Sequence, residues 1–166
     1  MYVIEKIFKQ LNRAGVEYIV IGGVAVIVYG YLRATGDLDL ILKLDQENLK
    51  KMSKIMKNMG YVERQPIHLE DLLDEANVRK LMREKNFKAF TFLPSGENPI
   101  LIDIVMEESL NFQKISEKSV VKSYGGVSIP VVSMDDLIIM KKKAARPQDE
   151  RDIEELEVVF KELKKL

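Results

Sequence analysis

The sequence predicts an α+β fold in which a mixed β-sheet is flanked by helices. Two observations support this fold class. Segments with helical and strand-like hydrophobic periods alternate along the chain, and no low-complexity segment, long linker or internal repeat interrupts them. The length of 166 residues falls in the range of one domain and suffices to bury a hydrophobic core. We therefore expect one domain over residues 1–166, with C-terminal helices over 134–166 packed on its core.

Hydrophobic spacing and glycines define the elements in the first half of the chain. Apolar residues at helical spacing predict an opening helix that Gly15 ends. The next segments are a strand over 18–21, a short apolar segment over 24–29, an alternating strand over 37–42, a helix over 46–59 and a strand over 61–64. The segment 24–29 is apolar on every side, so a buried helix and a strand are both open there. The following Gly30 favours the helix.

In the second half of the chain, turn residues separate strands from helices. The predicted elements are a helix over 69–84, antiparallel strands over 87–93 and 100–105, a hairpin with strands over 120–124 and 127–132, a helix from Ser133 to Ala145 and a last helix from 148 to the C-terminus. Ser133 followed by Asp136 resembles a capping box, which predicts the start of a helix. Pro147 ends that helix, because proline cannot continue its hydrogen-bond ladder.

The composition excludes several kinds of function. Because the chain has one histidine and no cysteine, disulfides, a thiolate nucleophile, cysteine-ligated metal sites and paired-histidine metal motifs are excluded. The 26 basic and 26 acidic residues give a net charge of zero, which argues against a strongly basic nucleic-acid surface. The chain start lacks a signal-peptide pattern, and the longest apolar stretch, over 18–29, is too short to span a bilayer. We expect a soluble cytoplasmic protein without a membrane partner.

Two aspartates occupy a predicted strand, where aspartate is uncommon. Asp37 and Asp39 are two residues apart in the segment DLDLIL, so both side chains leave the same face of the strand, with Cα atoms roughly 6–7 Å apart. At about 6 Å and an effective dielectric constant of about 20, two like charges repel by about 3 kcal/mol. The pair therefore favours a bound cation or a raised pKa.

A third aspartate lies in another apolar strand. Asp103 stands between Ile102 and Ile104, where an unpaired charge would cost several kcal/mol. A salt bridge to a lysine, a strand end that reaches water and a site shared with the first two acids would each explain it. All three acids are hard oxygen ligands, which suit Mg²⁺ or Mn²⁺ and do not suit zinc. Carboxylates that hold two such ions are a recurring solution for attack at phosphorus.

A pair of glycines, Gly22 and Gly23, follows the first strand and precedes the short predicted helix. Bare backbone at this place would let a polyphosphate approach, with free N–H groups and the positive helix end facing it. By itself the signal is weak, because two glycines can also mark a tight turn. Neither a Gly-x-Gly-x-x-Gly fingerprint nor a Gly-Lys-Ser/Thr phosphate loop is present.

The order of these blocks resembles the polymerase-β-like nucleotidyltransferase superfamily. The glycine pair, thirteen residues, the acid pair within DLDL and the later acid Asp103 carry this resemblance. The segments GGVAV and GYLRATGDLDL, together with DLIIMK and ARPQD near the C-terminus, are similar to small bacterial and archaeal members related to the AbiEii-type toxin nucleotidyltransferases. The similar blocks extend from about residue 20 to 156, and the paired-acid block is the most specific of them.

This resemblance implies a nucleotidyltransferase-like core and a reaction. Gly22 and Gly23 would hold a nucleoside triphosphate such as ATP. Asp37 and Asp39 would ligate both metal ions, Mg²⁺ or Mn²⁺. Asp103 would ligate the ion that activates the acceptor hydroxyl and would assist its deprotonation. Attack on the α-phosphate would release pyrophosphate and leave a nucleotide on the acceptor.

Two basic residues are further candidates for nucleotide binding. Lys141 falls in the middle of the apolar arc of the helix from Ser133, so its side chain must either extend to solvent or meet an anion. We expect it to face the carboxylates or the phosphates. Arg33, just before the acid pair, would contact phosphate or pair with Asp37, and an ordinary surface residue is the alternative.

A metal-dependent nucleotidyltransferase is the leading hypothesis. One alternative is a catalytically idle relative that binds a nucleotide or a partner protein, as half of a toxin–antitoxin-like pair. Another is a divalent-metal phosphohydrolase that uses the same acids. Because the chain has little beyond its core, either the acceptor is small or a second subunit, such as another copy in a homodimer, completes the cleft. The acceptor stays open among a small molecule, a tRNA end and a protein side chain.

Overall fold

The computed structural model describes residues 2–166, which contain seven strands, seven α-helices and one 3₁₀ helix, Leu69–Leu73. The strands are β1 Tyr18–Val20, β2 Asp37–Leu42, β3 Tyr61–Glu63, β4 Ala89–Pro94, β5 Leu101–Val105, β6 Val120–Tyr124 and β7 Val127–Val131. The helices are α1 Tyr2–Ala14, α2 Gly22–Val28, α3 Gln46–Asn58, α4 Glu75–Glu84, α5 Phe112–Lys118, α6 Met134–Ala144 and α7 Pro147–Leu163. Within residues 2–166, no helix has both the length and the apolar character needed to cross a membrane.

The strands form one sheet in the order β3-β4-β5-β2-β1-β7-β6. β2 runs parallel to β5 and β1 runs parallel to β7, whereas the other neighbours are antiparallel. The sheet is therefore mixed and flanked by helices, which confirms the predicted α+β fold class. The predicted antiparallel pair and the predicted hairpin are also confirmed, as β4 with β5 and β6 with β7.

One face of the central strands is apolar and forms part of the hydrophobic core. Because successive residues of a strand point to opposite faces, alternate positions of β2, β4 and β5 supply this face. Its side chains are at most 2% exposed and comprise Leu38, Leu40, Phe90, Phe92, Ile102 and Ile104. Helix α1 covers the same face, where the ring of Phe8 stacks on Tyr18 with the ring centroids 6.0 Å apart.

The opposite face of the central strands carries polar side chains. The register pairs Asp39 of β2 with Asp103 of β5, and Asp103 with Thr91 of β4, so these three side chains share one face. Helices α6 and α7 approach this side of the sheet, since charges on Lys141 and Arg146 act on Asp39. The sheet thus separates the core beneath α1 from the side that contains the candidate site.

Three elements differ from the prediction. The segment 69–84 is not one helix, because the carboxylate of Asp74 accepts the backbone N–H of Asn77 and caps α4 as a separate helix. Helix α2 begins at Gly22, so the two glycines lie inside the helix and not before it. Helix α5 was not predicted, since Ile115 is its one buried residue and seven residues give no clear helical period.

Candidate active site

The parallel pairing of β2 with β5 brings the predicted acids together. Asp39 stands directly opposite Asp103, and Asp37 stands opposite Leu101. Residues opposite each other in paired strands point to the same face, so the carboxylates of Asp39 and Asp103 are neighbours. Asp37 lies two residues further along on that face. Asp39 and Asp103 are half-buried and Asp37 is exposed, so the cluster opens to solvent at its Asp37 end.

The protonation of Asp39 responds to this arrangement. Burial, followed by the negative charges of Asp103 and Asp37, raises the pKa of Asp39 from 3.8 to about 6. The positive charges of Arg146 and Lys141 act in the opposite direction. Because burial and repulsion outweigh these two cations, a further positive charge beside Asp39 would be stabilising.

Asp103 has a partner that was not predicted from the sequence. Thr91 lies opposite it in β4, and its hydroxyl group donates a hydrogen bond of 2.6 Å to Oδ1 of Asp103. Thr91 is buried. One signal was available in the sequence: Thr91 is a polar residue between Phe90 and Phe92, in the strand predicted to pair with the one that contains Asp103.

The glycine pair allows three side chains, those of Asp39, Arg33 and Thr35, to approach the backbone closely. Gly22 has a φ of +65°, and a Cβ atom there would overlap with the carboxylate of Asp39. A Cβ atom on Gly23 would lie 2.7 Å from a guanidinium nitrogen of Arg33. The backbone N–H of Ile21 donates to the backbone oxygen of Asp39 at 3.1 Å, which fixes this turn against β2. The close approach of Asp39 and the positive φ therefore explain a glycine at 22, apart from any role in phosphate binding.

Lys141 is buried between two carboxylates of α7. Its exposed fraction is 4%, which excludes a side chain that extends to solvent. Nζ of Lys141 lies 2.6 Å from Oδ2 of Asp152 and 3.1 Å from Oδ1 of Asp149. Lys141 thus pairs with anions, as expected, but these are Asp149 and Asp152 and not the three acids of the sheet. Its contact with a nucleotide stays a prediction.

Two arginines extend this cluster of charges, Arg33 with a side chain 20% exposed and Arg146 with one 73% exposed. Nε of Arg33 lies 3.1 Å from Oδ1 of Asp152, at ion-pair distance, although its N–H is not aligned for a hydrogen bond. Nε of Arg146 donates a hydrogen bond of 2.8 Å to Oδ2 of Asp149. Arg33 therefore forms an ion pair with Asp152 and not with Asp37, as one expectation had it. Its contact with a phosphate stays a prediction. We call this group the α7 charge cluster; its members are Arg33, Lys141, Arg146, Asp149 and Asp152.

The acids of the sheet suit a hard divalent cation that is shared with a phosphate ligand. As the side chains stand, no group of three or more His, Cys, Asp or Glu residues within 2–166 is arranged to hold a metal ion. Protein-bound Mg²⁺ is usually held by one or two carboxylates together with waters and substrate phosphates, so a complete protein cage is not needed. The paired oxygens of Asp39 and Asp103, with the raised pKa of Asp39, fit such an incomplete site.

Two cavities lie at the other end of the central strands. One of about 540 Å³ is lined by residues around Met106 and the end of α4, and one of about 300 Å³ is lined by residues around Ile104 and Phe112. Both lie where β5 ends, whereas Asp37 begins the parallel strand β2. Residues other than the three acids line both cavities. The chemistry of the acids therefore identifies the candidate site better than cavity size does.

The arrangement of strands is that of nucleotidyltransferases of known structure. The lincomycin-bound lincosamide antibiotic adenylyltransferase LnuA is similar with a TM-score of 0.61, over 94% of this chain and 95% of that chain, at 15% identity. The solution structure of the antibiotic-resistance factor ANT(2'')-Ia is similar with a TM-score of 0.62, over 98% of this chain and 83% of that chain, at 16% identity. The crystal structure of ANT(2'')-Ia with adenylyl-2''-tobramycin is similar with a TM-score of 0.58, over 95% of this chain and 92% of that chain, at 15% identity. At such identities the likeness establishes the fold alone.

The chain belongs to the family described as "Nucleotidyltransferase of unknown function (DUF6036)", whose model matches residues 2–164. It is therefore a nucleotidyltransferase, as the resemblance of its acid and glycine blocks to that superfamily implied. A comparison with proteins of curated function gave no significant match.

We predict that Asp39→Asn stabilises the metal-free protein above pH 6. A carboxyl group whose pKa is raised on folding stabilises the folded state fully below its unfolded value of 3.8, and this contribution is lost as the pH rises through about 6. The charged Asp39 thus lowers the free energy of unfolding at pH 8 by about 2–3 kcal/mol. Urea unfolding of wild type and Asp39→Asn should show this difference at pH 8 and a vanishing one near pH 3.

The exposed glutamate Glu84 provides the control for this measurement. Glu84→Gln removes one carboxylate at the end of α4, far from the acid cluster in the fold, and should leave the free energy of unfolding nearly unchanged at both pH values. If Asp39→Asn were no more stable than wild type at pH 8, burial and charge repulsion would not destabilise the ionised form of Asp39.

We predict a larger loss of stability for Gly22→Ala than for Gly96→Ala. Both glycines have a positive φ, +65° and +76°, so both substitutions carry the backbone cost of about 1–2 kcal/mol. Gly96 has open space around it, whereas alanine at 22 overlaps with the carboxylate of Asp39. Chemical denaturation measures both variants. Equal losses would show that Asp39 does not pack against Gly22.

We predict that Lys141→Met lowers the free energy of unfolding by about 3–5 kcal/mol, because it leaves Asp149 and Asp152 buried without their shared cation. Lys142→Met is the matched control. Lys142 makes an exposed ion pair of 3.8 Å with Glu157, whose loss should cost less than about 1 kcal/mol. Similar stabilities of the two variants would contradict a structural role for Lys141.

Proposed function

We propose that this nucleotidyltransferase moves a nucleoside monophosphate from a nucleoside triphosphate to a hydroxyl group of an acceptor, with Mg²⁺ or Mn²⁺ and with release of pyrophosphate. The in-register pairing of Asp39 with Asp103, with Asp37 on the same face, is the observation that carries this proposal. Carboxylates in this arrangement are suited to phosphoryl chemistry, in which positioning and charge stabilisation do most of the catalysis.

Asp37, Asp39 and Asp103 are the proposed metal-binding and catalytic residues. The divalent ions supply Lewis-acid stabilisation of the negative charge on the phosphate oxygens. Asp103 assists removal of the proton from the attacking hydroxyl group. The hydroxyl oxygen then forms a bond to the α-phosphorus while the bond from that phosphorus to the pyrophosphate oxygen breaks.

Gly22, Gly23, Arg33 and Lys141 are the proposed nucleotide-binding residues. The guanidinium of Arg33 packs against the backbone at Gly23, so a cation lies beside the first turn of α2. Arginine suits phosphate because its planar fork donates two parallel hydrogen bonds. Lys141, whose Nζ is held by two aspartates, contributes through its charge, which acts as far as Asp39.

The acceptor we propose is a small molecule that carries a hydroxyl group. Two enzymes of the same fold have structures with antibiotics, a lincosamide adenylyltransferase with lincomycin and ANT(2'')-Ia with adenylyl-2''-tobramycin, and this chain covers 95% and 92% of them. A tRNA end and a protein side chain are the alternatives. We further propose one domain over residues 1–166 and a cytoplasmic location. A homodimer and a closer relation to the AbiEii-type toxin enzymes stay predictions.

We predict that ATP or GTP binds to the wild type only when Mg²⁺ is present. We expect Asp39→Asn to bind the Mg²⁺–nucleotide complex about 10- to 100-fold more weakly. The reason is that Asp39 would supply a carboxylate oxygen to the ion that accompanies the nucleotide. Isothermal titration calorimetry with MgATP, with MgGTP and with each nucleotide in excess EDTA measures this, and Glu84→Gln is the control variant.

The outcomes of this titration separate the alternatives. Nucleotide affinity that is indifferent both to the metal and to Asp39→Asn would contradict the proposal and favour a catalytically idle binding relative. Product analysis decides the reaction. Pyrophosphate together with a nucleotide-modified acceptor supports transfer, whereas release of inorganic phosphate without an acceptor supports a phosphohydrolase.

A further inference from the structure

We propose that Thr91 is a positioning residue for Asp103 and that Gln65 holds Thr91 in place for this task. The inference rests on the proposed function, because it assigns a supporting partner to the acid that assists the acceptor hydroxyl. Neither residue touches the proposed substrate. Both act by fixing the direction in which the carboxylate of Asp103 points.

The contact between Thr91 and Asp103 is short and buried. The hydroxyl of Thr91 donates to Oδ1 of Asp103 at 2.6 Å, and Thr91 itself is 6% exposed. A hydroxyl donor to a carboxylate at this distance is a charge-assisted hydrogen bond, which is stronger than one between neutral groups. No other described residue hydrogen-bonds to the carboxylate of Asp103. Thr91 therefore fixes Oδ1 and leaves Oδ2 for a cation or an acceptor.

Gln65 and its neighbour hold the backbone of Thr91. The backbone N–H of Arg64 donates to the backbone oxygen of Thr91 at 2.9 Å, just past the end of β3. Beyond this point the side chain of Gln65 makes the hydrogen bonds to β4 that a paired strand would make. Its Oε1 accepts the N–H of Thr91 at 3.0 Å, and its Nε2 donates to the oxygen of Ala89 at 2.9 Å. Both backbone polar groups of Thr91 are thus held from the β3 side while β5 lies on the other side.

The identity of residue 91 is better explained by this hydrogen bond than by packing. Valine has nearly the same shape as threonine and an equally high preference for strands, and it lacks a polar group that needs a partner. The partner of the Thr91 hydroxyl is one of the three candidate acids. Groups that hydrogen-bond to metal-binding side chains orient them, and their loss typically costs about 10- to 100-fold in metal affinity or activity.

Two substitutions at this position form the test. Thr91→Val removes the hydroxyl and keeps the shape, whereas Thr91→Ser keeps the hydroxyl. We expect Thr91→Val to lower both the Mn²⁺ affinity and kcat by about 10- to 100-fold, with KM for the nucleotide nearly unchanged. We expect Thr91→Ser to stay close to wild type. Electron paramagnetic resonance titration with Mn²⁺ gives the affinity, steady-state kinetics give kcat and KM, and thermal unfolding checks that each variant is folded.

Asp103→Asn is the reference for the outcomes. If it loses Mn²⁺ affinity and Thr91→Val does not, the positioning role is overturned while the proposed function stands. Equal losses in Thr91→Val and Thr91→Ser would overturn it as well, since packing and not the hydroxyl would then matter. If the wild type binds no Mn²⁺, or if Asp103→Asn binds as the wild type does, the proposed function itself fails. If Gln65→Leu kept the Mn²⁺ affinity and kcat of the wild type, the role proposed for Gln65 would be overturned.

Discussion

The parallel register between β2 and β5 is the constraint on which the candidate site depends. It places Asp39 opposite Asp103. Because strand side chains alternate between faces, a slip of one residue would turn Asp103 into the hydrophobic core and set Ile102 or Ile104 beside Asp39. The buried isoleucines, both 0% exposed, oppose that slip, since they would lose their contacts in the core. The core therefore fixes the register, and the register gathers the carboxylates.

The gathered charges have an energetic consequence. Asp37, Asp39 and Asp103 carry three negative charges, whereas the α7 charge cluster has three cations and two aspartates and so a net charge of one positive unit. This is too little to neutralise the three acids, and the pKa of Asp39 stays raised at about 6. The ligand-free site is consequently strained by its own charges. Proteins commonly break a stabilising rule at a functional site, where a ligand supplies the missing partner.

Local patterns predicted most of the fold, because strands, helices and their caps depend on residues close in sequence. The shared face of Asp37 and Asp39 followed from the period of a strand alone. The convergence of Asp103 with them depends on long-range register, and only the family resemblance suggested it. The helical period of α6 placed Lys141 correctly on an inward face, but which anion it meets depends on how α6 packs on α7. Thr91 was missed because its polarity between two phenylalanines becomes informative only together with the pairing of β4 and β5, which is a long-range contact.

A crystal structure with a non-hydrolysable nucleoside triphosphate and Mn²⁺ tests the central claim most directly. Anomalous scattering locates the metal ion without reference to any assumption about its ligands. We expect the ion between the carboxylates of Asp39 and Asp103, with further ligands from the phosphates, which lie against Gly22 and Gly23. An ion held elsewhere, or a triphosphate bound away from the face that carries these acids, would contradict the assignment of this face of the sheet as the active site.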